Sequence, residues 1–310
     1  MDSEPQLRPD DSCSPSTDAE ETVPRAKIPW DGGRAVLFFI LAAVSSLLLS
    51  HAFLGILGFQ WSVLLTEVLV FGAIPLALSA AFATGWRQWL SRPPVPRAFW
   101  GWALVAVVSF VVAQSNLLVF LDRIYPIPNW MSEPFRQYLV AESPFDFIGI
   151  VLVAALIPAV FEEVAFRGMI QGGLRFSYGP RHAVVWTGLL FALLHLNPWN
   201  FISLWSLGCF LGYVTERTRS LRAPVFLHFV NNAFAVGLLY IQGQKQFDSR
   251  PEFIPWYWTV CAGVVMIVAL VRIHRLTERP WPAEESDFTD LDDPQADEEP
   301  GSLSVTTDPS

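Results

Sequence analysis

Charge and cysteine are both scarce in this chain. Only 16% of its 310 residues are Asp, Glu, Lys or Arg, too few to coat a soluble domain of that length. The three cysteines, Cys13, Cys209 and Cys261, are odd in number, scattered and without metal-site spacing, which argues against a disulfide framework. No His-Glu-x-x-His run occurs, so the local zinc motif of a metalloprotease helix is missing. No repeat of fixed period is visible. The net charge of −9 sits mostly in the two ends and says nothing about the charge of a substrate; nucleic acid is not an expected partner.

Apolar residues are abundant instead. They make up 52% of the chain, with 13 Trp and 24 Phe, and they fall in runs too long and too uncharged for a soluble core. The expected fold is therefore an all-α integral membrane protein. Eight spans are read at roughly 35–58, 62–84, 99–121, 147–171, 183–199, 201–216, 223–240 and 254–273, the fifth to seventh short and tightly connected. The first 33 residues and the stretch 277–310 are rich in acids, Ser and Pro, and neither buries enough apolar surface to offset its ordering entropy. The expected organisation is a disordered cytoplasmic tail over 1–33, an eight-helix membrane domain over 34–276 and an acidic disordered cytoplasmic tail over 277–310. The apolar run near Ala35 lies behind an acidic leader without a convincing cleavage pattern, and reads as a first span rather than a signal peptide.

Lys and Arg set the orientation. With the N-terminus inside, the inside flanks hold 14 of them and the outside segments 4, so both termini are expected in the cytoplasm, in the plasma membrane of a prokaryote. The outside segment from Asp122 to Asp146 is long enough for a helix lying along the membrane surface, and its prolines disfavour a span.

Polar residues inside the spans are the functional candidates, because a charge at the centre of a spanning helix costs roughly 2.5–3.5 kcal/mol or more. The fourth span holds Glu162, Glu163 and Arg167, the fifth His195, and the seventh His228 and Asn232. Counted from the cytoplasmic span ends they lie roughly 6–18 Å deep at 1.5 Å per residue, which predicts one polar cavity open to the cytoplasm. Glu163 and Arg167 are four apart and read as a structural ion pair. Glu162 is turned about 100° away and is free to hold a water. His228 and Asn232, also four apart, could donate to a developing oxyanion. A carboxylate that takes a proton from water, a histidine that orients the water and two oxyanion donors are the parts of peptide-bond hydrolysis.

The bland readings are equally definite. Phe166 and Phe191 are packing. Gly208 and Gly212 form a small-x-x-x-small face for close helix contact, weak evidence for dimerisation, and the oligomeric state stays open. His51 and Glu67 are expected to partner one another away from the cavity. His182 and His274 lie at cytoplasmic edges and snorkel.

Glu162-Glu163-x-x-x-Arg167, Phe191-x-x-x-His195 and His228-x-x-x-Asn232, in this order on three helices, resemble the three motifs of the CPBP family, the CAAX prenyl protease and bacteriocin-processing (Abi-like) intramembrane endopeptidases. The resemblance covers about 147–240, and Ser220-Leu221-Arg222-Ala223-Pro224 is similar to the lead into the third motif of many members. It implies an intramembrane protease in which Glu162 activates water, His195 assists, and His228 and Asn232 stabilise the oxyanion. The implied partners are membrane lipid and a protein or lipidated peptide substrate, with prenylated C-termini as one class. A metal-free mechanism is preferred; if zinc were bound, Glu162, His195 and His228 would be its ligands. The competing reading is a non-catalytic membrane scaffold or bacteriocin-immunity-type protein of the same fold.

Overall fold

The computed structural model describes residues 28–83, 95–139, 141–242 and 252–277. Most of both expected tails lies outside the described residues. Apart from a two-residue parallel pairing of β1 (Ile28–Pro29) with β2 (Phe82–Ala83), the described chain is helical. The helices are α1 (Gly32–Leu57), α2 (Phe59–Ala81), α3 (Arg97–Ile124), the short α4 (Asn129–Leu139), α5 (Pro144–Tyr178), α6 (Pro180–Leu194), α7 (Phe201–Thr218), α8 (Arg222–Gln242) and α9 (Trp256–Leu276). Of these α1, α2, α3, α5, α8 and α9 are long and apolar enough to cross a membrane. The expected fifth and sixth spans fall on helices α6 and α7, which are not among these six: α6 has 15 residues, and α7 carries Glu216 and Arg217 in its last turn.

Local chemistry explains the boundaries. Asp31 caps α1, its carboxylate accepting from the Arg34 backbone N–H at 2.9 Å. Pro180 starts α6 at a position that has no N–H to lose. That helix stops at Leu194 because Leu196 turns into the left-handed region (φ 47°) and Pro198 follows. Within α2 and α5, π-helical turns at Glu67–Ala73 and Leu152–Leu156 directly precede Pro75 and Pro158. A mid-helix proline lacks its N–H and collides with the carbonyl four residues back, so the preceding turn widens. A third π-helical stretch, Val164–Ile170, follows Glu163 with no proline to account for it.

The helices alternate between two ends. At one, here the basic end, the Gly32 N–H donates to Ser177 Oγ at 2.8 Å, Ile28 pairs with Phe82, and Arg217 donates to the carbonyl of Thr277 at 2.6 Å. At the far end, Phe59 packs on Tyr138, Trp199 donates to the carbonyl of Pro126, Asn116 holds the backbone of Ile254 and Phe147 stacks on Tyr240. The surface helix α4 packs against α2 and α8 at this far end. Large apolar side chains such as Leu41 and Leu48 on α1, and Val264 and Ile267 on α9, point outward, as lipid-facing helices require.

Two features recess the middle of the bundle. The α7–α8 connection is sunk into the protein, with Glu216, Arg217, Thr218, Ser220 and Leu221 all buried and Arg219 in the left-handed region. And α6, at about 22 Å for its length, is shorter than a bilayer core of about 30 Å, so its last residues stop inside the far half.

Candidate active site

Glu162 and Glu163 lie about midway along α5, both buried. Charges at that depth persist only when paired. Arg167, fully buried, donates from Nη1 to Glu163 Oε1 at 2.9 Å and from Nη2 to the carbonyl of Gly208 at 3.0 Å. Its guanidinium also lies 5.0 Å from the centre of the Phe191 ring. One step further along the same face, Gln171 donates to the carbonyl of Gly212 at 3.0 Å and to Glu216 Oε1 at 2.9 Å, and Arg175 pairs with Glu216 Oε2 at 3.1 Å. Residues 163, 167, 171 and 175 thus form a polar ladder down α5 against residues 208, 212 and 216 of α7. The glycines make it possible: a Cβ on Gly208 would meet Gly188 Cα at 2.7 Å, and one on Gly212 would meet Gln171 Oε1 at 2.9 Å. The continuation of the ladder was missed in the sequence, although its four-residue spacing was a usable signal.

His228, on the second turn of α8 and 2% exposed, joins the two glutamates. Its Nδ1 is 2.8 Å from Glu163 Oε1 and its Nε2 is 3.8 Å from Glu162 Oε2. Since a carboxylate accepts, Nδ1 carries the hydrogen. This corrects the separation of ion pair from site: the same Glu163 oxygen receives Arg167 and His228, so the pair holds the histidine in place. Glu162 Oε2 is buried without a hydrogen-bond partner.

His195 caps the end of α6, and Nδ1 donates to the carbonyl of Phe191 at 2.8 Å, leaving Nε2 for another partner. Phe191 touches the His195 and His228 rings at centroid distances of 4.6 and 5.6 Å and so wedges the two apart while packing on Phe166. Asn232 accepts from the neighbouring Asn231 at 3.2 Å, which leaves its own amide N–H groups available.

These groups line one cavity of about 490 Å³, with Glu162, His195, His228 and Asn232 on its wall. The rest of the lining comes from the far end: Phe59 of α2, Met131 and Tyr138 of α4, Asn197 and Asn200 of the α6–α7 loop, and Leu239 of α8. Inside termini and a cavity on the same side therefore do not go together in this fold, because the cavity lies toward the end opposite residues 28–32 and 277. The depth estimate failed where it assumed full-length spans, since His195 is the cap just past the end of the short α6. A second, lateral branch of about 240 Å³ meets the first at Val63, Glu67, Glu162 and His195 and runs between Ser46 and Ser50 of α1 and Leu194 and Leu196.

Glu67 is the residue the sequence reading misplaced. It opens the π-helical turn of α2 and lines both branches beside Glu162, with Oε2 buried and unpartnered. Its expected partner His51 is exposed, and His51 Nδ1 sits 3.0 Å from the carbonyl of Leu47. Tyr138 was also overlooked. Burial pushes its phenol up to about 12, so at neutral pH it is a neutral O–H on the cavity wall with no hydrogen-bond partner. His182 lies against the carbonyl of Tyr178, whereas His274 is 3.0 Å from the Tyr213 hydroxyl and does more than snorkel.

Among the described residues no three His, Cys, Asp or Glu side chains come together as a metal site. Glu162, His195 and His228 thus line one cavity without forming a zinc-ligand set, and no step below passes through a metal.

The match to known families falls on this part of the chain. Residues 144–234 match the family model Type II CAAX prenyl endopeptidase Rce1-like. The matched segment runs from the start of α5 into α8 and includes every motif residue named above. It agrees with the CPBP resemblance, and the Rce1-like family is a protease family. No curated protein and no solved structure matches the chain.

Proposed function

We propose that this protein is an intramembrane endopeptidase in which Glu162 activates water. The observation that carries the reading is the position of Glu162: a buried carboxylate with one unpartnered oxygen, on the wall shared by both branches of the cavity, facing the His228 ring. Glu162 takes a proton from a water that His195 Nε2 orients, and the water oxygen bonds to the scissile carbonyl carbon. The oxyanion that forms accepts from the Asn232 amide and from His228 Nε2–H. For that step His228 carries hydrogen on both nitrogens. The C–N bond breaks as Glu162 returns its proton to the leaving amine. Glu163 and Arg167 act by positioning His228.

The family description is that of a CAAX prenyl endopeptidase; the part carried over here is hydrolysis of a peptide bond. The test is turnover by purified protein. Glu162→Gln keeps shape and hydrogen bonding but cannot take the proton, so cleavage should fall at least ~10²-fold with the thermal midpoint unchanged. Equal cleavage by the folded variant would remove Glu162 from the mechanism. Absence of cleavage by wild type against membrane proteins of the host would favour a non-catalytic scaffold or immunity-type protein.

A further inference from the structure

We infer that the cavity opens on the extracytoplasmic side of the membrane, and that its substrate is a membrane-anchored polypeptide presented at the outer end of its own spanning segment. The side follows from geometry and charge alone, whereas the substrate class rests on the proteolytic reading.

Basic residues near span ends face the cytoplasm. In the structure the exposed or half-exposed Arg34, Arg97, Arg181, Arg222, Arg272 and Arg275 all stand at the basic end. The sequence adds Arg87 and Arg92 between α2 and α3. At the far end Arg123 lies 4.4 Å from the centre of the Phe253 ring; the sequence adds Arg136 within α4 and Lys245 and Arg250 between α8 and α9. Orientation by this asymmetry puts the basic end inside. The cavity is lined from the other end, by Phe59, Tyr138, Asn197 and Asn200. Non-helical backbone at membrane depth is stable only where it lines a wet cavity or is buried in protein, and the α6–α7 loop beyond His195 meets that condition on the far side.

The lateral branch supplies the route for the substrate. Helix α1 packs mainly on α2 and α5, and the gap toward the end of α6 is the branch between Ser46, Ser50 and Leu196. A polypeptide still held in the bilayer can unwind its last turn into this gap and bring a peptide bond to Glu162 without leaving the membrane, while its hydrophilic continuation occupies the main cavity. A prenylated C-terminus made in the cytoplasm would arrive at the wrong end.

The two parts are tested separately. In a variant with Cys13, Cys209 and Cys261 replaced by serine, Asn129→Cys on α4 and Arg181→Cys at the basic end are exposed to a membrane-impermeant maleimide in intact cells. The expected result is labelling of Asn129→Cys before permeabilisation and of Arg181→Cys only after it; the reverse pattern overturns the inference. New protein N-termini are then mapped in membranes from cells with the wild-type protein and with Glu162→Gln. Cleavage lost in the variant should fall on outer flanks of spanning segments, and loss confined to inner flanks or prenylated C-termini overturns the substrate class. If the labelling holds and no cleavage depends on Glu162, it is the proteolytic reading that fails and the substrate class falls with it, while the orientation stands.

Discussion

Removing Arg167 should unfold this protein more readily than removing any surface arginine, and the structure sets the scale. The side chain is fully buried, makes two hydrogen bonds of 2.9 and 3.0 Å and lies over Phe191. Arg167→Ala leaves Glu163 in the membrane interior with only His228 against it. Breaking a buried pair from one side costs about 3–5 kcal/mol, dominated by the uncompensated charge. At about 2–4 °C per kcal/mol that is a fall of roughly 6–20 °C in thermal midpoint. The double change Glu163→Gln with Arg167→Met removes both charges, keeps an amide oxygen that can accept from His228 Nδ1, and leaves mainly the lost hydrogen bond to the Gly208 carbonyl, at about 1–3 kcal/mol. It should therefore unfold later than the sum of the two single changes predicts, a coupling readable in a double-mutant cycle. The assay is thermal unfolding in detergent, with Arg181→Ala as the exposed control. A midpoint for Arg167→Ala equal to that control, or strict additivity in the cycle, would refute the ion-pair argument.

Other expectations can be checked on the same preparation. Asn232→Ala should cost on the order of 10²–10³ in rate, the range for one oxyanion donor, with unchanged unfolding; a smaller loss would take Asn232 out of the oxyanion site. Glu67→Leu replaces a carboxyl whose Oε2 is buried without a hydrogen-bond partner and should raise stability by about 1–3 kcal/mol; a loss of stability would mean that the carboxyl makes a stabilising contact through its other oxygen. Exhaustive chelation should leave turnover intact, whereas stoichiometric zinc whose removal and return switch activity off and on would overturn the metal-free reading while leaving the peptidase assignment in place.

The helices were legible in the sequence because lipid leaves few alternatives: a long uncharged apolar run must satisfy its own backbone, and the starts and stops carry capping residues and prolines. The motif residues were legible for a related reason, since polar groups in such runs are expensive and stand out. Glu162, His195, His228 and Asn232 do line one cavity. What the sequence concealed is the offset of one helix along its neighbour. Span-end counting treats every helix as a full crossing starting at a membrane surface, yet α6 is short and the α7–α8 turn is sunk, so equal counts do not mean equal depth.

Glu67 and His51 make the same point from the other direction. Both are ionisable residues on apolar helices without a motif, and pairing them was the economical reading of two expensive groups. In the fold, His51 is on the outside of α1 near the far end, while Glu67 is drawn inward at the start of the π-helical turn that precedes Pro75. A π-helical turn advances each residue by less than the usual 100°, so a face predicted from α-helical spacing drifts within one turn. The three π-helical stretches lie beside Glu67, before Pro158 and after Glu163, which places them around the residues whose side-chain direction decides the chemistry. An α-helical wheel is least dependable at those positions, and there side-chain direction has to come from three-dimensional packing.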